Sequence, residues 1–343
     1  MKKKRVNWGI LSTAEIAQVQ IIPAIQQVSN ANLVAIASGS GKAAEAARMF
    51  NIPKYYDSYE QLLADPDIDV VYIPLPNGLH SKWVKAAAMS GKHILCEKPA
   101  ALTEEETKDM IKVCDENQVI FMEALMPQFH PQHQRVKDII ASGEIGDIKL
   151  MRSSFTFQLK KLEGNIRMKP ELGGGSLYDV GCYCIHATRE MLGEPDQVYC
   201  VADMHPEYDV DMSAVAVFEY GNGVKAYLDC GMNMSTREDY QIVGTKGTIH
   251  VPKAFIPQVD GEGLIIVRSE DGRTREERLV GHNYPLGIEY FSQCLLEGKE
   301  PRYTKESTIN NVKVIEACLE SIRLSKAVKL KEDVCLIASA SKM

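Results

Sequence analysis

The sequence contains no long apolar run: no stretch approaches the roughly 18 consecutive apolar residues that a membrane-spanning helix needs. It has no excess of positive charge either, because 46 acidic side chains against 39 basic ones leave a formal net charge of −7. The first absence excludes a membrane span, and the second removes the electrostatic basis for binding nucleic acid or an acidic membrane surface. Internal repeats and low-complexity tracts are also missing, which excludes fibrous and collagen-like proteins.

The start of the chain lacks the apolar segment of a signal peptide. Residues 1–5 are a methionine and four basic side chains, and they lead directly into a strand-like segment. We therefore expect no export signal and a cytoplasmic protein. The nine cysteines are an odd number and lie mostly in segments predicted to be buried, so we expect no disulfide framework.

Side chains at metal-ligand spacing are scarce. Cys182 and Cys184 could form half of a metal site, but no second cysteine pair has the required spacing, and a place in the core is the favoured interpretation. His130 and His133 are also suitably spaced, but no carboxylate lies near them in the sequence. We expect no bound metal.

The length of 343 residues predicts two domains at about 150 residues each. Up to residue 124, short β-branched runs alternate with amphipathic stretches, a pattern that predicts a doubly wound parallel sheet covered by helices. The predicted strands are Val6 to Leu11, Leu33 to Ser38, Val70 to Pro74, His93 to Cys96 and Val119 to Glu123. The predicted helices are Ala14 to Val28, Ala43 to Phe50, His80 to Ser90 and Thr103 to Asn117.

Residues 125–343 are predicted to form a second, α+β domain with a large and mostly antiparallel sheet. Long alternating segments appear at Ile148 to Gln158, Val198 to Met204, Ser213 to Tyr220 and Val224 to Met232. A Gly-Asn-Gly turn joins the last two as a hairpin requires. Helical patterns return around Pro285 to Leu296 and Thr308 to Leu324.

The first strand turns into the first helix just after Gly9, where backbone N–H groups and the helix dipole can hold a pyrophosphate. Aligning this turn with the G-x-G-x-x-G fingerprint places Ser12, Ala14 and Ala17 at the three glycine positions, with Thr13 between the first two. All three residues are small, but none is glycine. A dinucleotide site and a plain strand-to-helix turn both remain open on this evidence.

The end of the second strand bears on the choice of cofactor. A carboxylate there would bind a free ribose 2′-hydroxyl, whereas a 2′-phosphate requires donors and positive charge. The chain offers Ser38, Ser40 and Lys42, with no carboxylate before Glu45. This favours NADP over NAD, and the alternative is a solvated Gly/Ser loop with an incidental lysine.

Three further segments carry a family resemblance: Ile73 to His80, which contains Pro-Asn-x-x-His; Cys96-Glu97-Lys98-Pro99; and Leu172 to Tyr183, which contains Gly-Gly-Gly-Ser-Leu-Tyr-Asp. From Val6 to about Leu330 the chain resembles the glucose-fructose oxidoreductase / inositol dehydrogenase family. The most similar pattern is that of the branch with NADP-dependent xylose dehydrogenase and dimeric dihydrodiol dehydrogenase, because these proteins have tyrosine at the position of Tyr183. The resemblance implies an N-terminal Rossmann domain that binds NADP or, less favoured, NAD.

The resemblance also implies catalytic roles. Hydride removal from a carbinol carbon requires a general base near the nicotinamide, and Tyr183 is the candidate. Lys98 would lower the pKa of this phenol and stabilise the developing alkoxide. Asp179, four residues before Tyr183 and on the same helical face, would orient the substrate or Lys98; the alternative is a plain helix-start carboxylate. We expect Lys98 and Tyr183 to converge from different domains.

The remaining candidates are less specific. Phe129, Arg167 and His186 are predicted to contact substrate together with Lys98, Asp179 and Tyr183; a solvated arginine and a satisfied core histidine are the alternatives for Arg167 and His186. The cofactor contacts carried over from the family are Pro76, Asn77, His80 and Glu97, and the alternative for Asn77 is a cap of the following helix.

The resulting hypothesis is an NADP-dependent dehydrogenase that acts on a hydroxyl of a sugar, a polyol such as an inositol, or a cyclic diol. Two alternatives are a dinucleotide-binding sensor without turnover and a sugar oxidoreductase that retains its cofactor tightly. Because one face of the second sheet needs covering, we also expect a homo-oligomer, either a dimer or a tetramer.

Overall fold

The computed structural model describes residues 5–256 and 260–330. The first half forms a six-stranded parallel sheet in the order β3-β2-β1-β4-β5-β6, so the predicted doubly wound domain is confirmed. Its strands are β1 (Val6–Leu11), β2 (Ala31–Ala37), β3 (Lys54–Tyr56), β4 (Val70–Ile73), β5 (His93–Cys96) and β6 (Phe121–Glu123).

Helices cover both faces of this sheet, which explains why every residue of β4 is buried. A π-helical turn, Ala17–Ile21, precedes the first helix. Thr103 caps the last helix of this domain, because its side chain accepts a hydrogen bond from the Glu106 N–H at 3.1 Å. The helices are α1 (Ile22–Gln27), α2 (Ala43–Phe50), α3 (Tyr59–Leu63), α4 (His80–Met89) and α5 (Glu104–Glu116).

The second half forms a nine-stranded sheet in the order β14-β13-β12-β11-β7-β10-β9-β8-β15. Neighbouring strands are antiparallel except β7 and β10, so the predicted, mostly antiparallel sheet is confirmed. Its strands are β7 (Ile148–Gln158), β8 (Gln197–Met204), β9 (Asp211–Glu219), β10 (Lys225–Gly231), β11 (Asn233–Gly244), β12 (Gly247–Val251), β13 (Glu262–Ser269), β14 (Thr274–Val280) and β15 (Val328–Lys329).

The described residues of the second half of the chain form four α-helices, and two of these pack against the first sheet. They are α6 (Pro131–Ala141), α7 (Cys182–Leu192), α8 (Asn283–Glu297) and α9 (Lys305–Leu324). Phe291 of α8 meets Trp8 of β1 edge-on at 6.0 Å between ring centroids, and Val312 of α9 joins the core beside β4 and β5. The predicted boundary between residues 124 and 125 stays a prediction, and residues 331–343 of that second domain lie outside the described part.

No helix within residues 5–256 and 260–330 is long and apolar enough to cross a membrane. The same ranges hold no group of three side chains that could bind a metal ion. Cys182 and Cys184 are buried free thiols, as are the other six described cysteines. His130 caps α6, and His133 lies between the Tyr240 hydroxyl and the Ala254 carbonyl, so neither histidine is free to bind a metal.

Candidate active site

Lys98 and Tyr183, which come from the two halves of the chain, are in contact beyond the carboxyl end of β5. Lys98 follows β5, and its Nζ lies 4.7 Å from the centroid of the Tyr183 ring on α7. The same Nζ donates to the Asp179 carbonyl at 2.5 Å and lies 3.7 Å from its carboxylate Oδ1. The Lys98–Pro99 peptide bond is cis. The structure thus brings the three predicted catalytic side chains into one cluster.

Asp179 lies between two cations. Arg167 Nε donates to Asp179 Oδ2 at 2.6 Å, on the opposite oxygen from Lys98. Burial alone would raise the pKa of Asp179, but Lys98 and Arg167 outweigh it and hold the pKa below its ordinary value. Asp179 is therefore a carboxylate that fixes both cations, and Arg167 is not merely solvated.

The glycine run before α7 allows the surrounding loops to approach closely. Gly173 has φ +74°, and a Cβ there would lie 2.8 Å from the Asn77 Cβ. A Cβ on Gly174 would lie 2.5 Å from the Arg167 carbonyl oxygen. Asn77 Nδ2 donates to the Gly173 carbonyl at 2.9 Å and so joins the two halves of the chain. It caps no helix, because α4 begins after Leu79 without a side-chain cap.

The ionisation of Tyr183 corrects one expectation. Burial raises the pKa of Tyr183 well above its ordinary value, and Tyr284 and Glu97 raise it further. Burial lowers the pKa of Lys98, but its anionic neighbours, Asp179 and Glu97 among them, raise it above the ordinary value overall. The prediction that Lys98 brings the phenol towards neutral pH is wrong, because carboxylates already compensate the ammonium charge and desolvation dominates. Tyr183 is therefore a neutral phenol.

Aromatic side chains that were not predicted surround Tyr183. Its ring centroid lies 5.4 Å from that of Phe155 and 5.9 Å from that of Phe255. Phe155 could have been found from the sequence, because it lies in the alternating segment that forms β7 and its side chain is buried. Phe255 could not, because it lies in a loop without a repeating pattern. These rings exclude water from one side of the phenol.

A buried carboxylate, also not predicted, fastens the loop that follows Lys98. Glu123 accepts the Ala100 N–H on Oε1 at 2.9 Å and the Tyr303 hydroxyl on Oε2 at 3.0 Å. Burial raises the pKa of Glu123 to about 7, although both hydrogen bonds oppose the shift. The end of β6 thereby holds the catalytic loop in position.

Two of the predicted cofactor contacts, His80 and Gly9, are buried inside the protein. The His80 ring is fully buried, with Nε2 2.7 Å from the Leu75 carbonyl and Nδ1 2.9 Å from the Pro99 carbonyl. It holds the loop after β4 against the loop after β5. Gly9 is buried inside β1, where a Cβ would lie 2.9 Å from Leu62 Cδ2. Its small size serves packing under the sheet.

The other predicted cofactor contacts in the loops after β4 and β5 are Pro76, Asn77 and Glu97, and all three residues are partly exposed. Pro76 precedes the short turn that contains Asn77, and it is partly exposed. Glu97 accepts the Tyr72 hydroxyl on Oε1 at 2.6 Å, and burial raises the pKa of its carboxyl group. Tyr72 is a buried strand residue whose role was not predicted. The cofactor contacts of Pro76, Asn77 and Glu97 stay predictions.

The first turn and the second strand end share a chain of hydroxyl groups. Ser12 has φ 147°, a conformation that explains why glycine is usual at this position of the fingerprint. Thr13 Oγ1 lies 3.5 Å from Ser38 Oγ, which lies 2.9 Å from Ser40 Oγ. Lys42 is exposed at the start of α2. Hydroxyls and an ammonium without a carboxylate are a donor set that suits a ribose phosphate.

A cavity of about 300 Å³ adjoins Tyr183 and includes Phe129 and His186 in its lining. His186 is 6% exposed, packs edge-on against Tyr303 with 5.1 Å between ring centroids, and has no partner for Nδ1 within residues 5–256 and 260–330. Burial lowers the pKa of His186 to about 4, so the ring is neutral. His186 is thus a cavity wall with an unsatisfied atom, not a satisfied core histidine.

Ligands of doubly wound sheets bind at the carboxyl ends of the strands, and Lys98 and the Ser12–Ala14 turn both lie at that edge. This arrangement defines the class of two-domain, dinucleotide-dependent oxidoreductases. Residues 6–125 match the model described as an oxidoreductase family with an NAD-binding Rossmann fold, and residues 133–250 match the GFO/IDH/MocA C-terminal domain. The chain belongs to the GFO/IDH/MocA family.

Similar proteins act on sugars or diols. The chain is 37% identical to a D-xylose 1-dehydrogenase (NADP(+)) of Haloferax volcanii, covering 94% of this chain and 99% of that protein. It is 32% identical to a trans-1,2-dihydrobenzene-1,2-diol dehydrogenase of Xenopus tropicalis, with 85% and 90% covered. The crystal structure of a 3-ketoreductase from Actinomadura kijaniata with NADP and TDP-benzene matches with TM-score 0.88 and 29% identity, covering 92% and 98%.

Proposed function

We propose that this protein is an NADP-dependent oxidoreductase that transfers a hydride between the nicotinamide and a hydroxyl-bearing carbon of a sugar, polyol or cyclic diol. The observation that carries the proposal is the partly buried contact between Lys98 and Tyr183, with 4.7 Å between Lys98 Nζ and the centroid of the Tyr183 ring, beyond the carboxyl end of β5. The hydroxyl groups of Thr13, Ser38 and Ser40, with Lys42 nearby, support NADP as the cofactor. The names of the relatives support the substrate classes.

NADP supplies the hydride acceptor or donor when it is bound. Tyr183 is neutral, so in carbonyl reduction its hydroxyl can give a proton to the carbonyl oxygen as that oxygen gains charge. The Lys98 ammonium stabilises the same oxygen by hydrogen bonding and by charge. Asp179, which is itself held by Arg167, keeps Lys98 in place. In the oxidative direction the hydroxyl proton of the substrate must pass to the ionised form of Tyr183.

The direct test is NADPH formation, followed by absorbance, when the purified protein is incubated with NADP and a panel of aldoses, inositols and cyclic diols. We expect turnover with at least one of these, and NADPH oxidation with the matching carbonyl compound. Failure of NADP reduction with every hydroxyl compound, together with failure of NADPH oxidation with keto-sugars, contradicts the proposal.

Lys42→Asp is expected to weaken NADP binding about ten- to a hundredfold while changing NAD binding about twofold or less, because a charge-assisted contact with a phosphate contributes about 1.5–3 kcal/mol. Calorimetric titration with both cofactors measures the difference. Lys112→Asp, an exposed charge reversal on α5, is the matched control and should change neither affinity. Equal weakening of both cofactors by Lys42→Asp would remove Lys42 from the phosphate site.

We also propose that copies of the chain pair through the outer face of the nine-stranded sheet. The result is a dimer or, when two such dimers associate, a tetramer. This face carries an apolar cluster whose residues each have between 37% and 49% of their surface exposed: Tyr199, Val201, Val215, Val217 and Tyr227. The side chains are neighbours across β8, β9 and β10. A contiguous apolar patch of this kind is typical of an interface.

Val217→Arg is expected to convert the oligomer to monomers in sedimentation experiments, because it places a charge in the centre of that patch. Val19→Arg, at an exposed valine of the first domain, is the control and should leave the oligomer intact. A wild-type protein that sediments as a monomer at all concentrations would contradict the pairing.

A cytoplasmic location completes the proposal, and the free thiols of the described cysteines support it.

A further inference from the structure

The cavity beside Tyr183 extends along one face of α7. Tyr183, His186, Ala187 and Glu190 all line it, at the i, i+3, i+4 and i+7 spacing of neighbours on a helix surface. Lys137 of α6 forms part of the opposite wall. Seven residues of helix span about 10 Å at 1.5 Å each, which is about twice the width of a pyranose ring. The cavity is therefore longer than a single sugar ring requires.

Most of this space lies beyond the groups that carry the chemistry. Tyr183 lines the cavity, but Lys98, Asp179 and Arg167 do not. A substrate carbon that is held beside Lys98 and Tyr183 would therefore leave the α6–α7 part of the cavity for another portion of the same molecule. At about 300 Å³ the space is at the lower end of small-ligand pockets.

The lining suits a group with many hydroxyls. Phe129, Phe255 and Tyr303 supply aromatic surfaces, against which the C–H faces of a sugar ring can pack. Gln128 Nε2 and His186 Nδ1 are buried without a hydrogen-bond partner among the described residues. Since a hydroxyl group both donates and accepts, a polyhydroxylated ligand can satisfy an amide N–H and a neutral imidazole together.

The charges in the cavity balance each other or are already engaged. Lys137 Nζ forms an ion pair with Glu190, and both side chains are partly exposed at this end of the cavity. The Arg302 guanidinium lies over the rings of Phe129 and Tyr290. Among the described lining residues, Lys137 and Glu190 neutralise each other and Arg302 is engaged by two rings, so the lining favours a neutral group over an anion or a cation.

We propose that the α6–α7 part of this cavity is a second sugar subsite, which holds a neutral pyranose ring linked glycosidically to the ring that is oxidised. The protein then acts on disaccharides or other glycosides better than on the free monosaccharide. This inference rests on the proposed function, since it extends the substrate from the catalytic Lys98–Tyr183 pair into the neighbouring space.

The test compares D-glucose with cellobiose, and D-xylose with xylobiose. Each sugar is assayed as a substrate with NADP, and its binding to the complex of the protein with NADP is measured by calorimetry. We expect kcat/KM and the dissociation constant to favour the disaccharide by about tenfold in at least one pair, mainly through KM. Ala187→Phe, which fills the subsite, should lower kcat/KM for the disaccharide about tenfold more than for the monosaccharide. Ala187→Ser, similar in size to the native residue, should keep the preference.

Ala187 is buried, so a second variant tests the same space from its exposed edge. Gln134→Trp places a bulky ring over the cavity and should reproduce the selective loss. If no sugar is turned over but cellobiose or xylobiose still binds more tightly than its monosaccharide, the proposed function fails and the subsite stands. If neither disaccharide gains in binding or kcat/KM, or if these variants weaken monosaccharide and disaccharide equally, the subsite is overturned.

Discussion

Lys98→Met is expected to lower kcat for sugar oxidation by about a thousandfold, because removal of one donor from the site of developing oxygen charge costs about 10²–10³ in rate. Methionine keeps the length and most of the volume of the lysine side chain but has no charge. The buried Asp179 carboxylate still has Arg167 Nε at 2.6 Å in this variant, so it is not left unpaired. The measurement is steady-state kinetics with NADP and the best sugar substrate, with kcat and KM determined separately.

The matched control is Lys82→Met. Lys82 Nζ lies 4.9 Å from the centroid of the Trp83 ring, so this variant removes a lysine–aromatic contact of similar geometry on the same domain, at an exposed position. We expect its kcat to match that of the wild type. A Lys98→Met protein with normal thermal unfolding and a rate loss of less than about tenfold would show that the ammonium does not act on the reacting oxygen.

The elements predicted correctly are those with a strong local pattern. β1 and β7 have the predicted bounds, because long β-branched or alternating runs report burial directly. β3 was not predicted, since it is a three-residue edge strand with only partly buried ends and no period to detect. The four strands β11 to β14 were not predicted individually, although the antiparallel sheet to which they belong was. Only β11 pairs directly with β7, which is distant in the sequence, and β12, β13 and β14 each pair with the strand before them, so the placement of all four depends on one long-range contact.

The candidate site divides in the same way. Lys98, Asp179 and Tyr183 are identifiable because their motifs fix residue types at fixed spacing, and the structure brings them into one cluster. The direction of the Tyr183 pKa could not be predicted. It depends on rings such as Phe255, which desolvate the phenol, and on carboxylates such as Glu97, whose negative charge raises its pKa further. These side chains come from distant parts of the sequence.

Motif membership also does not specify which way a side chain faces. His80 belongs to the Pro-Asn-x-x-His segment, yet its ring is buried between the carbonyl groups of Leu75 and Pro99. A residue that holds two loops together is under the same sequence constraint as one that touches a ligand. The α6–α7 cavity shows the reverse situation, because Ala187 and Lys137 belong to no motif and still shape the space beside Tyr183.

Tyr183→Phe is expected to lower kcat for both directions by about 10²–10⁴, the usual contribution of a positioned proton donor or acceptor. The wild-type pH profile follows from the raised pKa of Tyr183, which burial keeps well above its ordinary value. Carbonyl reduction uses the neutral phenol, so its rate should be independent of this group at neutral pH and fall as the phenol ionises at high pH. Sugar oxidation uses the ionised form, so its rate should rise with pH over the alkaline range.

Phenylalanine has no ionisable group. In Tyr183→Phe, therefore, the residual rates of oxidation and of reduction should both lose their dependence on alkaline pH. Tyr178→Phe is the matched control: the Tyr178 hydroxyl donates to the Leu102 carbonyl at 2.8 Å and has no contact with Lys98, so both profiles should persist. An oxidation rate that still rises with pH in Tyr183→Phe would assign the proton transfer to another group. A wild-type oxidation profile that levels off below neutral pH would contradict the raised phenol pKa, because a base that ionises so early cannot be a desolvated tyrosine.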